Sequence, residues 1–154
     1  MKTYTQLVAD ILPQIDEVFP WDLEDIDPDD PEILFLDIRE TNEFTAMHIK
    51  SSINVPRGIL ESACDWGYDD TVPELALSRE KPVIVICRSG NRSALAAWVM
   101  QTMGYQKVKS LKTGLRGWND ADQPLVDNEG NTVDADDADE FFRNKPTTEQ
   151  LTPS

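Results

Sequence analysis

The chain has a single histidine and two cysteines, Cys64 and Cys87, and that scarcity removes several functions at once. A zinc centre needs three or four histidine, cysteine or carboxylate ligands in close array, so no resident metal is expected. Two widely separated cysteines do not make a disulfide framework, and a free reactive thiol wants a reducing compartment. Basic residues are scarce as well: 14 Lys and Arg stand against 29 Asp and Glu, a net charge of −15 at pH 7. Such a surface repels phosphate backbones and anionic bilayers, which argues against nucleic acid and membrane partners. No apolar run approaches a membrane span. The start, Met1-Lys2-Thr3-Tyr4, meets Asp10 and Asp16 without the apolar core of a signal peptide, so the expected location is cytoplasmic. Neither a Gly-x4-Gly-Lys-Ser loop nor a dinucleotide fingerprint occurs, and no cofactor is expected. Repeats and low-complexity arrays are also missing.

At 154 residues the chain is expected to form one domain with a core that needs no disulfides. Its acidity is uneven. Between Asp37 and Trp118 lie 11 Lys and Arg and 9 Asp and Glu, a balance of +2, while the flanks carry 3 basic and 20 acidic residues, or −17. The near-neutral middle suits a site that handles a small anion or a thiol. The acidic flanks read first as solubilising surface and second as docking tails for a basic partner.

Leu7, Val8, Ile11, Leu12, Ile15 and Val18 recur at helical spacing, predicting a helix over Thr5–Phe19 that Pro13 kinks or splits. Trp21–Pro31 reads as an acidic linker. Ile33–Ile38 and Ile53–Val55 read as strands, with a short turn of helix capped by Thr41 between them. Residues 57–82 form a long connection with at most short helices. Pro82–Ile86 is a buried strand, Ser93–Met103 a helix closed by Gly104 at C′, Val108–Leu111 the last strand, and Leu115–Asn119 a short helix. Alternating strands and helices predict an α/β fold, with a central, mainly parallel sheet of about five strands and helices on both faces. The expected division is residues 1–32 as an amphipathic helix and linker, 33–126 as the main α/β domain, and 127–154 as an acidic extension. That extension has an apolar patch at Ala138, Phe141 and Phe142, and fraying is expected from Gln150 to Ser154.

The strand over Pro82–Ile86 runs into Cys87-Arg88-Ser89-Gly90-Asn91-Arg92, and Ser93 opens the next helix. A strand, tight loop and helix bring backbone N–H groups and a helix N-terminus to one point at the carboxyl end of a sheet. A cysteine there, beside Arg88 and Arg92, is favoured as the nucleophilic thiolate. The bland alternative is a core cysteine at a strand end. Two arginines and a glycine in the next five positions do not suit a core. His48, between Met47 and Ile49, reads as a structural residue rather than a base. Trp66, Trp98 and Trp118, with no basic patch beside them, read as core or rim aromatics.

Cys87, Gly90, Arg92 and Ser93 resemble the Cys-x-x-Gly-x-Arg-Ser/Thr loop of the rhodanese (sulfurtransferase) family. Leu36-Asp37-Ile38-Arg39-Glu40 is similar to that family's strand ending in Asp-x-Arg-Glu. Glu43-Phe44, His48-Ile49 and Ile53-Asn54-Val55-Pro56 follow in order, and Leu111, Gly114, Gly117 and Trp118 match its Leu-x-Gly-Gly-x-x-Gly-Trp ending. The resemblance runs from about Ile33 to about Leu125. It implies a rhodanese-like fold and a Cys87 persulfide that carries sulfur from a small anionic donor such as thiosulfate to a thiol or protein acceptor. It further implies that Arg88, Ser89, Gly90, Asn91 and Arg92 bind substrate, with Asp37, Arg57 and Ser93 supporting. Arg88 would attract the donor, Arg92 would brace the loop against Asp37, and Arg57 would border the site. Cys64 would resolve the persulfide if it lay near Cys87.

Departures stand out. Met47, Ser51-Ser52 and Thr113 replace glycines or Gly-Ala of the family pattern and are expected to alter loop geometry rather than chemistry. Glu43 and Ser89 stand where two-domain thiosulfate enzymes of the family have basic residues, which puts thiosulfate in question as the physiological donor. Two other classes compete with the enzyme reading. One is a sulfur-carrying or partner-binding module with little free turnover. The other is a phosphatase or arsenate reductase, whose Cys-to-Arg loop is one residue longer and usually follows a histidine, where this chain has Ile86.

Overall fold

In a computed structural model that describes residues 1–153, five strands form one sheet: β1 (Asp16–Val18), β2 (Leu34–Asp37), β3 (Ile53–Asn54), β4 (Pro82–Ile86) and β5 (Lys107–Leu111). They lie in the order β1-β5-β4-β2-β3 and every pairing is parallel. Seven α-helices accompany them: α1 (Tyr4–Ile11), α2 (Thr41–Ala46), α3 (Leu60–Ala63), α4 (Pro73–Ala76), α5 (Asn91–Thr102), α6 (Gly114–Asp120) and α7 (Ala135–Phe142).

The two-residue period of the central strands sorts the core. Leu34, Leu36 and Ile38, with Val83, Val85 and Cys87, face one side and pack on Leu60 and Ala63 of α3, Leu75 of α4, and Ala96, Ala97 and Met100 of α5. Phe35, Ile84 and Ile86 face the other and meet Leu115 and Trp118 of α6 and Ala138 and Phe142 of α7. Both faces of β2 and β4 are covered, as expected for a parallel sheet.

Two details depart from the sequence reading. The helix foreseen over Thr5–Phe19 stops at Ile11, Leu12–Gln14 forms a 3-10 turn at Pro13, and Asp16–Val18 is the edge strand β1 beside β5. Glu40 rather than Thr41 is the N-cap of α2, and the Glu43 side chain accepts from its backbone N–H at 3.3 Å. Ser51 and Thr113 adopt the left-handed backbone that glycine favours, with φ of 68° at both, a strained conformation for a residue with a side chain. Met47 is ordinary extended backbone at φ −166°. Gly104 has φ +98° directly after the C-cap of α5, as predicted. A 3-10 turn occupies Thr148–Gln150, and the expected fraying reaches Ser154, outside the described residues.

From β2 the chain moves outward to β3, and from β4 it moves the opposite way to β5. The carboxyl ends of β2 and β4 therefore flank a topological switch point, where α/β sheets open a crevice. Asp37 and Ile86 are register partners at that end, and Cys87 is the next residue.

Candidate active site

Cys87 leaves β4 and the chain turns at once into α5. Gly90 makes the turn at φ +93°, and a Cβ there would meet the backbone N of Thr113 at 3.0 Å. The N–H groups of Gly90 and Ser93 donate to Cys87 Sγ at 3.1 and 3.3 Å, and the Ser93 hydroxyl lies 3.3 Å from the same sulfur. Ser93 Oγ is in turn 2.7 Å from Ser110 Oγ on β5, both residues fully buried. The start of α6 fixes the loop from below. Leu115 N–H donates to the Cys87 carbonyl at 2.9 Å, and Arg116 N–H to the Arg88 carbonyl at 3.0 Å. Gly114 permits this approach: at φ +60°, its Cβ would stand 2.5 Å from the Cys87 and Arg88 carbonyl oxygens. Oriented donors on a sulfur stabilise negative charge there, and the scaffold prepays their orientation.

A cavity of about 780 Å³ opens over the loop, lined by the expected Arg88, Ser89, Asn91 and Arg92. Cys87, next to Arg88 in the chain, is 1 % exposed and does not itself line the cavity. Four further lining residues were not anticipated: Tyr4 at the start of α1, Arg116 on α6, Phe142 at the end of α7, and Asn144 just beyond it. Arg116 was legible as a cation in the variable positions before Gly117-Trp118. The other three come from the chain ends and are brought in only by folding.

The brace on the loop differs from expectation. Arg92 forms a two-point pair with Glu43, Nη1 to Oε1 at 2.9 Å and Nη2 to Oε2 at 3.0 Å. Asp37 is taken by Arg39 instead, with Nη2 to Oδ2 at 2.8 Å and both side chains fully buried. Arg39 follows Asp37 by two positions and closes on it locally, so both Asp37 oxygens accept from its guanidinium. Arg57 also departs: its Nη1 pairs with Glu61 at 3.1 Å, one turn along, and it is not among the residues lining the cavity.

Burial pushes the Glu43 carboxyl up, but the Arg92 hydrogen bonds and charge outweigh it and hold the pKa below the ordinary value. The Glu43 hydrogen bond, against the opposing effect of burial, raises that of Arg92. Burial raises the Tyr4 phenol, with the Cys87 charge adding and Arg92 and Arg88 opposing, which marks Tyr4 as an electrostatic neighbour of the thiol.

Cys64 is fully buried on the α3–α5 side of the sheet, and burial pushes its thiol pKa up, opposed by the nearby Tyr105 and Arg79. That environment is one of packing, not of reactivity. His48 lies flat on Phe44, centroids 3.9 Å apart, its Nδ1 2.8 Å from the Phe44 carbonyl, and its backbone bridges Val126. Trp118 is buried and donates to the Pro124 carbonyl, while Trp66 and Trp98 are on the surface. Among the described residues no cluster of His, Cys, Asp or Glu could hold a metal, and no helix is long and apolar enough to cross a membrane.

Comparison with known proteins bears on this geometry. The chain is 30% identical over 90 residues to the thiosulfate sulfurtransferase GlpE of Tolumonas auensis, covering 57% of this chain and 74% of that one. It is 36% identical over 92 residues to the adenylyltransferase and sulfurtransferase MOCS3 of Drosophila virilis, of which it spans 20%. With another relative, from Bacillus subtilis, the match spans 43% of that protein. Among solved structures, the polysulfide-sulfur transferase homodimer of Wolinella succinogenes superposes with a TM-score of 0.59 at 26% identity, covering 79% of this chain and 85% of that one. RPA3614 of Rhodopseudomonas palustris, described as a protein of unknown function and possible tyrosine phosphatase, gives 0.71 at 26%, covering 81% and 95%. The rhodanese-like domain family matches residues 22–121, from the segment that leads into β2 to the end of α6, and the chain belongs to it.

Proposed function

We propose that this protein is a sulfurtransferase that works through a Cys87 persulfide. The observation that carries the reading is the sulfur of Cys87 receiving two backbone N–H bonds within a loop whose arginines line a cavity. The relatives named as sulfurtransferases support it. The Cys87 thiolate attacks the outer sulfur of a donor such as thiosulfate. A new S–S bond forms, the donor's own S–S bond breaks, and sulfite leaves with the electron pair. Arg88 attracts the anion, and the N–H groups between Arg88 and Arg92 cradle the transferred sulfur. A thiophilic acceptor then removes it and returns Cys87 as the thiolate. This is covalent catalysis with electrostatic stabilisation by pre-oriented donors.

A phosphatase or arsenate reductase is disfavoured by the same site. Only four residues separate Cys87 from Arg92, and the Arg92 guanidinium is committed to Glu43 rather than free to grip a phosphoryl group. Intact mass after thiosulfate treatment is expected to rise by one sulfur atom in the parent and to stay unchanged in Cys87→Ser, because a serine hydroxyl without an adjacent base is a poor nucleophile. Sulfur on Cys64, or robust turnover of p-nitrophenyl phosphate by the parent, would overturn the reading. Efficient sulfur loading with no release to any free thiol, and release only on addition of a protein partner, would instead identify a carrier module.

A further inference from the structure

The cavity over Cys87 carries more positive charge and more room than an inorganic donor uses. Its lining holds three guanidinium groups, Arg88, Arg92 and Arg116, and one carboxylate, Glu43, a local balance of +2 inside a chain of net charge −15. Glu43 is bound at two points by Arg92, so that pair is internally neutral. Among the described residues Arg88 and Arg116 have no carboxylate partner. Their backbones are tied, Arg116 N–H to Arg88 C=O at 3.0 Å, so both side chains leave from one point and line one cavity.

The volume, about 780 Å³, is that of a site for an organic ligand. An anion the size of thiosulfate fills only a small part. The walls fit an organic occupant as well. Tyr4 is delivered by α1, whose N-terminus is closed by the reciprocal Thr3–Gln6 cap and which is seated by buried Val8. Phe142 is anchored in the core cluster with Leu115, Trp118 and Ala138. Cys87 is only 1 % exposed, and its loop neighbours Arg88, Ser89, Asn91 and Arg92 line the cavity, so the approach to the sulfur is narrow and favours a slender thiol-bearing group.

On the sulfur-transfer reading above, we infer that the acceptor is a small organic thiol bearing a carboxylate or similar oxyanion, and that Arg116, with Arg88, recognises that anionic end. The acceptor's sulfur passes down to the loop while its charged group stays above, between the two free guanidiniums. Deprotonated acceptor sulfur attacks the outer sulfur of the Cys87 persulfide. The new S–S bond forms as the bond to Cys87 breaks, and the electron pair returns to Cys87. The proton given up by the entering thiol ends on the products through solvent, so no oxidant or reductant is consumed.

The test uses the full chain, loaded with sulfur from thiosulfate, freed of excess donor, and mixed with 3-mercaptopropionate, 2-mercaptoethanol or cysteamine. The rate at which the intact mass falls by one sulfur atom is read for the parent, Arg116→Gln and Arg116→Lys. Taking each variant's preference for 3-mercaptopropionate over 2-mercaptoethanol cancels intrinsic thiol reactivity. That preference is expected to drop about tenfold in Arg116→Gln, the loss of one charge-assisted hydrogen bond, and to be largely kept in Arg116→Lys. Cysteamine is expected to gain relative to the other two in Arg116→Gln. A preference that is the same in parent and Arg116→Gln, or a parent that favours cysteamine, overturns the inference while leaving sulfur transfer intact. Failure of Cys87 to take up sulfur at all overturns both.

Discussion

Arg92 and Glu43 show how one residue's partner decides its role. Their two-point pair is partly buried, with side chains 32% and 24% exposed, and it ties α5 at the loop's end to α2. Arg92→Ala leaves Glu43 partly buried and unpaired, and should cost about 1–2 kcal/mol, a fall in Tm of about 2–8 °C for a chain of this size. Turnover should fall with it. Arg88→Ala breaks no ion pair and is expected to lower donor capture with Tm unchanged. Thermal denaturation and kcat/KM of both variants check this, and indistinguishable variants would refute the division of roles. The pair also predicts a pH dependence. The folded-state pKa of Glu43 is depressed, so its stabilisation is complete above the ordinary glutamate value of about 4.3 and is lost as pH falls through the lower folded value. The Tm gap between the parent and Glu43→Gln should therefore be constant from neutrality to about pH 5 and close below pH 4. The pairing itself was not legible, because the resemblance pointed Arg92 to Asp37 and only the fold shows Asp37 already satisfied by Arg39.

At the scale of elements, the cysteine loop is held by α6 as much as by α5. Gly114→Ala would drive a Cβ to 2.5 Å from the Cys87 and Arg88 carbonyls at φ +60°, so α6 or the loop must shift. The expected cost is about 2–4 kcal/mol in stability, with sulfur uptake by Cys87 largely lost. Gly130→Ala is the matching control. Its φ is +85° but no atom lies within 4 Å of the added carbon, so it should cost about 1 kcal/mol and leave sulfur uptake unchanged. Equal effects of the two on uptake would discard the idea that α6 positions the loop. The strands over Leu34–Asp37 and Pro82–Ile86 were readable because both faces are buried and every residue is apolar up to the functional end. β1 was not. Its three residues include Asp16 and Glu17, it stands at the sheet edge, and it takes its identity from pairing with β5 some ninety positions away. The cavity positions of Tyr4, Phe142 and Asn144 were not legible for the same reason: they follow from how α1 and α7 pack, which no local pattern encodes.

At the scale of the whole molecule, two fields of opposite sign act on an anionic substrate. The −15 of the chain, concentrated in the flanks, repels it from a distance, and the +2 of the cavity lining attracts it at close range. Salt does not screen them equally. The Debye length is about 10 Å at 0.1 M and about 30 Å at 0.01 M, so modest salt removes the distant repulsion first and leaves contacts within a few ångströms nearly intact. For an anionic donor, kcat/KM should therefore rise from low salt to about 0.1 M and fall again toward 1 M, where the guanidinium contacts are screened as well. Simultaneous Arg88→Ala and Arg116→Ala replacement removes the short-range attraction, and its kcat/KM should only rise with salt. An acceptor thiol with no charged group beyond its reacting sulfur, followed in the second half-reaction with the parent, should respond less to salt than one that also carries a carboxylate. The measurement is kcat/KM at five or more ionic strengths, from about 0.01 to 1 M. A monotonic fall from the lowest salt in the parent would mean that the acidic flanks do not act at the mouth of the site.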